Sequence, residues 1–290
     1  MIYDPGKISI LVPTRNRPNN VRRLVSSILD NAHEPNQIEI LFYVDEDDNT
    51  FPNDILKQNI RKIVGPRLWL SIMHNVLYFN CRGEIIMYAG DDVVFGSQNW
   101  DEIVRNEFNK FDDKLILVYG DDKGWHVGNI AIHGFLHRNW VNLLGYFIVP
   151  MRNAASDMWH TENARKLGRL VYVPSLIIEH IHYRQGDGKA EFDSTYKSVY
   201  TSNGDWKPLV TYNKISRERR IDRLILKSKI IEKVPQENKY LISEWFSKHK
   251  KTLKLTNLSD NRINSLDNYE IMPIIFMNIL RFIFRKRYFN

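Results

Sequence analysis

Asp91 and Asp92 stand side by side at the end of "EIIMYAGDD", directly after a run of apolar residues and Gly90. Two adjacent carboxylates repel unless a cation sits beside or between them. A hard divalent ion such as Mg²⁺ or Mn²⁺, shared with substrate phosphates, answers that need. Gly-Asp-Asp is equally good chemistry for a solvated β-turn, so the pair by itself supports either reading. Asp45 opens a second acidic cluster, "DEDD", at the end of the apolar run "IEILFYV". His180 and His182 alternate in "IIEHIHY", which puts both on one side if the segment is a strand. Asp121 and Asp122 repeat the pattern of a strand followed by paired aspartates, with a turn as the competing reading.

The elements that must hold these residues follow from hydrophobic periodicity. "KISILVP" (7 to 13), "IEILFYV" (38 to 44), "RKIVG" (61 to 65) and "EIIMYA" (84 to 89) read as strands. "VRRLVSSILDNA" (21 to 32), "RLWLSIMHNVLYFN" (67 to 80) and "NWDEIVRNEFNKF" (99 to 111) read as helices, the second with Leu70, Met73 and Leu77 on one face. After residue 112 the alternation loosens. "LILVYG" (115 to 120), "NIAIHGFLH" (129 to 137) and "RLVYVPSLIIEHIHY" (169 to 183) are strand-like, while "RNWVNLLG" and "SDMWHTENARKLG" (156 to 168) are helical. Such alternation predicts βαβ units and a mostly parallel α/β sheet. Ligands of these sheets bind beyond the carboxyl ends of the strands, so Asp45, Asp91 and Asp92 should share one edge.

The chain of 290 residues is long enough for one large domain with an appendage. Its 43% hydrophobic and 26% charged residues are those of an ordinary globular protein. Met1 is not followed by a basic stretch and a long apolar run, so no secretory signal is expected. Cys81, the single cysteine, excludes an internal disulfide and fits a reducing cytosol. No apolar stretch reaches the roughly 18 residues of a membrane span. The net charge of +7 is uneven. Residues 1 to 204 carry 22 Lys or Arg against 25 Asp or Glu, whereas residues 205 to 290 carry 19 against 9.

Five motifs in order, over roughly residues 7 to 185, resemble the GT-A glycosyltransferases and in particular glycosyltransferase family 2. "ISILVPTRNRPNNVRRLVSSIL" resembles the family's opening strand, nucleotide-binding turn and first helix, and "ILFYVDEDD" its second strand. "GEIIMYAGDDVVF" is similar to the strand carrying the DxD metal motif, "SDMWHTENARKLG" to the helix that starts with the catalytic carboxylate. "IIEHIHY" stands where the family has a late histidine. The resemblance implies a GT-A fold, Rossmann-like and mostly parallel. Residues 1–204 would form the catalytic domain, with a nucleotide-sugar half over about 1–97 and an acceptor half over about 98–204. A basic, mainly helical region would fill 205–290.

The same resemblance implies roles. Pro13, Thr14 and Arg15 would line the nucleotide pocket, Asp45 would accept from a base N–H, and Arg67 would lie near the diphosphate. Asp91 would face the ribose and sugar, and Asp92 would bind Mn²⁺ or Mg²⁺ with His180. Gly90 departs from the pattern, standing where a DxD motif has its first aspartate. Asp157 would be the base that deprotonates the acceptor hydroxyl in an inverting transfer. Its alternative role is to cap the helix, unless Ser156 does so. Asp122, Trp125, His133 and His182 are candidate acceptor or donor-sugar contacts, while most other tryptophans read as core. The implied donor is a nucleotide-diphosphate sugar, a UDP-sugar by the family's habits.

The acceptor stays open among a glycan, a lipid-linked molecule and a modified nucleic acid. "KISRERRIDRLILKSKIIEK" (214 to 233) predicts a basic helix with Ile221, Leu224, Ile225 and Ile230 inward, and "IMPIIFMNILRFIFRKRYF" (271 to 289) is apolar and then basic. Docking on the catalytic domain, contact with an anionic membrane surface and capture of nucleic acid all suit this region. The expected location is cytoplasmic, with peripheral membrane attachment as the variant. A catalytically inactive GT-A-like binding module is the alternative from another class. A nucleotidyltransferase would need a Gly-rich phosphate loop after the first strand, and "VPTRNRPNN" has no Gly.

Overall fold

Apolar runs too continuous to leave a wet face become the central strands of the sheet. The computed structural model describes residues 3–124, 128–149, 156–183, 190, 192–194, 196–197, 212–213 and 216–230. Its strands are β1 (Asp4–Thr14), β2 (Ile38–Asp45), β3 (Ile60–Gly65), β4 (Gly83–Tyr88), β5 (Val93–Phe95), β6 (Leu117–Asp121), β7 (Gly134–His137) and β8 (Leu170–His180). The helices are α1 (Pro18–Asp30), α2 (Leu70–Asn80), α3 (Trp100–Asn109), α4 (Arg138–Leu144), α5 (Ser156–Leu167) and α6 (Ser216–Lys227). All of β2 is buried, as expected for a strand covered on both faces.

The sheet order is β3-β2-β1-β4-β7-β6-β8-β5. The first four strands run parallel, β7 is antiparallel to both β4 and β6, and β5 is antiparallel to β8. Side chains alternate between two cores. Leu11, Leu41, Tyr43, Ile86 and Tyr88 face the layer of α2, α4, α5 and α6. Ile10, Val12, Phe42, Ile85 and Met87 face α1 and α3, whose Val21, Leu24, Trp100 and Val104 complete that side. The result is a three-layer α/β/α sandwich, the architecture expected from βα alternation.

Several boundaries differ from the sequence reading for identifiable reasons. Residues 129 to 133 were expected in a strand but form a loop, because Thr161 and Tyr88 supply their partners: Ala131 N–H donates to Thr161 Oγ1 and its carbonyl accepts from the Tyr88 hydroxyl. Val93 to Phe95 form a strand too short to stand out by pattern. Leu70, expected on the inner face of α2 with Met73 and Leu77, is 42% exposed at the mouth of a cleft.

The basic helix packs inward only in part as its apolar pattern predicts: Ile225 and Ile230 lie against the core, but polar residues join them and Leu224 does not. Leu224 is exposed, while Arg219, Asp222 and Leu226 are buried. The reason is that α5 offers polar groups that need partners. Trp159 Nε1 donates to Asp222 at 2.9 Å, Tyr146 donates its hydroxyl to the same carboxylate, and Arg219 pairs with Glu162 at 3.0 Å. Part of the basic region is thereby docked on the sandwich. The expected boundary at 204 and the segment 271 to 289 lie outside the described residues. Among the described residues, no helix is long and apolar enough to cross a membrane.

Gly120 in β6 marks where the sheet is tightest. A Cβ there would stand 2.0 Å from the carbonyl oxygen of Leu176 in β8, a backbone atom with no room to yield. Gly120→Ala should therefore cost about 1–3 kcal/mol of stability. Urea unfolding checks this, with a lower midpoint and an unchanged slope as the expected outcome.

Candidate active site

The parallel strands β1, β2, β3 and β4 end on one edge of the sheet, and the last residues of β1, β2 and β4 open a cleft of about 430 Å³. The turn after β1 is set locally. Asn16 takes a left-handed φ of 53°, which asparagine tolerates, and Pro18 starts α1 where its missing N–H costs nothing. This turn aims Arg15 and Arg17 into the cleft.

Pro13, Thr14, Arg15, Asp45, Arg67, Asp91, Asp92, His133, Asp157, His180 and His182 all line this one cleft. Arg15 Nη1 donates to Asp45 Oδ2 at 2.7 Å and also holds Asp47. Asp45 is 2% exposed, and its Oδ1 has no hydrogen-bond partner among the described residues. Asp122 lies outside the cleft lining, behind His180, whose N–H donates to the Asp122 carbonyl at 2.9 Å. Trp125 lies outside the described residues. Trp100, Trp140 and Trp159 are core residues, each 0% exposed.

The two adjacent carboxylates part company. Asp91 accepts from Thr14 Oγ1 at 2.7 Å and from Arg17 Nη1 at 2.9 Å. Arg17, absent from the candidates read from sequence, is thus the protein's own cation beside the pair, and it lies 3.9 Å from Asp92. It also donates through Nε to Asp193 at 2.7 Å and stacks over the Tyr196 ring at 4.2 Å. Its signal in the sequence was an arginine just before the helix-starting Pro18. Tyr196, also missed, has no periodic pattern around it; its hydroxyl donates to Asp92 Oδ2 at 2.8 Å.

Asp92 turns the other way, toward two histidines. The pairing of β5 with β8 sets Val93 opposite His180, and Ile181 N–H donates to the Asp92 carbonyl at 2.7 Å. His180 Nε2 then lies 3.5 Å from Asp92 Oδ2, and the His133 and His180 rings stand edge to face at 4.8 Å. His133, expected at an acceptor, is placed here beside Asp92. Each of Asp92, His133 and His180 offers a ligand atom within 4.8 Å of the others.

Burial governs the charges. It pushes Asp91 up to about 6, with Arg17 opposing and Asp92 reinforcing the shift. Burial acts on Asp92 in the same direction, but His180, His133 and Tyr196 outweigh it and hold its carboxyl far below the usual range. Burial opposes a charge on His180, yet Asp92 raises its pKa overall. His133 is pushed down to about 3 by burial and by His180, so its imidazole is neutral at physiological pH.

Asp157 sits in the first turn of α5, where its Oδ1 accepts from Met158 N–H at 2.8 Å. One carboxylate oxygen is thus engaged by the backbone of the helix's own first turn. Burial raises its pKa to about 6, against the Met158 N–H, which lowers it. Glu162, one turn further along the same helix, is taken up by Lys166, Arg219 and Tyr212.

The fold is similar to that of known proteins. Among solved structures, TarS 1–349 of S. aureus in complex with UDP-GlcNAc is 12% identical, with a TM-score of 0.56, covering 88% of this chain and 77% of that one. PcManGT, a mannosyltransferase from Pyrobaculum calidifontis in complex with GDP-Man and Mn²⁺, is 13% identical with a TM-score of 0.48, covering 94% and 87%. A further TarS 1–349 structure aligns over 59% of either chain at a TM-score of 0.47, so there the chain spans well under two thirds of its relative. No curated protein matches the chain. The fold shared with TarS is the GT-A fold. Residues 9–160, from β1 through the first turn of α5, match the sequence family described as Glycosyl transferase family 2, and with the cleft carboxylates inside that span, the chain belongs to glycosyl transferase family 2.

Proposed function

We propose that the protein transfers a sugar from a nucleotide-diphosphate donor, a UDP-sugar, to an acceptor hydroxyl with inversion at the anomeric carbon. The observation that supports this best is a single cleft holding Asp45, the Asp91–Asp92 pair and Asp157. Asp45, whose Oδ1 has no partner among the described residues, suits a base N–H, with Arg15 beside it for the base carbonyl or ribose. Arg67 and Arg17 offer positive charge for the diphosphate. Asp92 and His180, an ionised carboxylate and an imidazole 3.5 Å apart, fit a divalent cation such as Mn²⁺ or Mg²⁺. When bound, that ion supplies charge stabilisation for the departing diphosphate.

Asp157 completes the reaction. Its carboxylate takes the proton of the acceptor hydroxyl as the oxygen attacks the anomeric carbon. The bond from that carbon to the donor's phosphate oxygen breaks, and the nucleoside diphosphate leaves with the electron pair. A pKa near 6 leaves Asp157 ionised at neutral pH yet basic enough to accept the proton.

The division at about residue 204, with a nucleotide half before 97, belongs to the same proposal, as do a cytoplasmic location and a membrane or nucleic-acid contact through the basic region. A thermal-shift panel of UDP-, GDP-, TDP- and CDP-sugars, each with Mn²⁺ and with chelator, tests the reading. UDP-sugars with Mn²⁺ should raise the melting temperature most. No shift with any donor would reject it. A shift without donor hydrolysis or transfer would instead favour an inactive binding module.

A further inference from the structure

We infer that His133 is a third protein ligand of the cation held by Asp92 and His180, and that this set of two imidazoles and one carboxylate selects a first-row transition ion over Mg²⁺. The role of that ion rests on the donor-site reading above; its ligands rest on the geometry alone.

Two ligands about 2.1 Å from one ion lie ~3 to ~4 Å apart. Asp92 Oδ2 and His180 Nε2 are at 3.5 Å, and His133 brings a ring nitrogen within 4.8 Å of both. Small side-chain movements close the three on one ion. Tyr196 does not block this, because a carboxylate oxygen has two lone pairs and Oδ2 can keep its hydroxyl contact.

His133 needs the partner that an ion would provide. It is only 9% exposed, and both its ring nitrogens are buried with no hydrogen-bond partner among the described residues. Buried polar groups in folded proteins are almost always satisfied. Its placement is also built. Gly134 pairs with Tyr88 across β4 and β7, while Tyr88 and Thr161 hold the preceding Ala131 by its carbonyl and N–H.

Gly90 accounts for the space. A Cβ at this position would stand 2.5 Å from Asp92 Oδ1 and 3.6 Å from His133 Cε1. The missing first aspartate of the DxD pattern thus leaves room for Asp92 beside the His133 ring, which arrives from the loop before β7. Exchanging an oxygen donor for nitrogen changes the preference. Mg²⁺ favours oxygen ligands and sheds water reluctantly, whereas imidazole favours the later ions of the first row. Co²⁺ should therefore bind more tightly than Mn²⁺, and both more tightly than Mg²⁺.

The test uses the full chain with Co²⁺ as probe and its visible absorption as readout. Wild-type protein should bind a single Co²⁺, and Mg²⁺ in about 100-fold excess should not displace it. His133→Gln should alter the bands and weaken Co²⁺ binding at least about tenfold. His133→Cys should add a thiolate-to-cobalt charge-transfer band, which only direct coordination produces. Unchanged bands and affinity in a folded His133→Gln, no such band in a folded His133→Cys, or displacement by equimolar Mg²⁺ would overturn the inference. UDP binding, measured by calorimetry on the same protein with Mn²⁺ and with chelator, keeps the two readings apart. Nucleotide binding with His133 not ligating rejects this ligand set alone; His133 ligating Co²⁺ without nucleotide binding rejects the donor-site reading alone.

Discussion

Asp157→Asn should lower the transfer rate about 10²–10⁴-fold and leave UDP affinity almost unchanged. The amide keeps the shape and can still accept from Met158 N–H, but it cannot take a proton. The wild-type rate should rise with pH through about 6, where Asp157 loses its proton, and level off above. Stability should run the other way. Folding raises this pKa from 3.8 to about 6, so the native state binds more protons than the unfolded chain within that window. This contribution is therefore lost as pH rises from about 4 to about 6. Asp157→Asn lacks the group and should melt no lower than wild type at pH 7. A purely structural Asp157 predicts normal turnover in the variant, so melting temperature, UDP affinity and rate measured together decide the matter. Near-normal transfer would remove the assignment, and Asp122 would be tested next, since Glu162 is bound up with Arg219 and Tyr212.

Asp92→Ala should abolish the metal dependence of donor binding and reduce transfer on the order of 10²–10³-fold. That size follows from a few kcal/mol of charge stabilisation by the ion at about 1.4 kcal/mol per factor of ten. The substitution also removes the acceptor for Tyr196 and the partner of His180, so the His180 pKa should fall from its raised value. NMR titration of the histidine ring protons reads that change without any metal or substrate. Calorimetry of UDP with and without Mn²⁺ reads the first effect. Metal-dependent binding retained by Asp92→Ala would move the cation elsewhere in the cleft. The Asp91 carboxylate is no substitute, being already engaged by Thr14 and Arg17.

Strand periodicity and the residues that end each strand were legible in the amino-acid sequence, because both are local properties. A run such as Ile38 to Val44 has no polar side to show water, so it must be covered on both faces, and whatever follows it must lie at a sheet edge. Asp45, Asp91 and Asp92 could be singled out that way, Asp157 only through the resemblance of its helix to a family motif, and the order of the motifs pointed to the GT-A fold.

What joined them was decided only in three dimensions. The Asp92–Tyr196 contact links residues 104 apart in the chain, and nothing in the surroundings of Tyr196 announces it. His133 reads as a candidate sugar or acceptor contact in a weak strand until Tyr88 and Thr161 hold its loop against Asp92. Arg17 reads as part of a turn until Asn16 rotates it onto Asp91. The same physics widened the buried face of α6 beyond Ile225 to Arg219 and Asp222 and left Leu224 exposed. Apolar spacing predicts which side of a helix prefers burial only when its neighbour is apolar, and α5 presented an indole N–H and a carboxylate that Asp222 and Arg219 had to meet. Local pattern thus sets the elements and their ends, while the partner that each charge finds is a property of the packed fold.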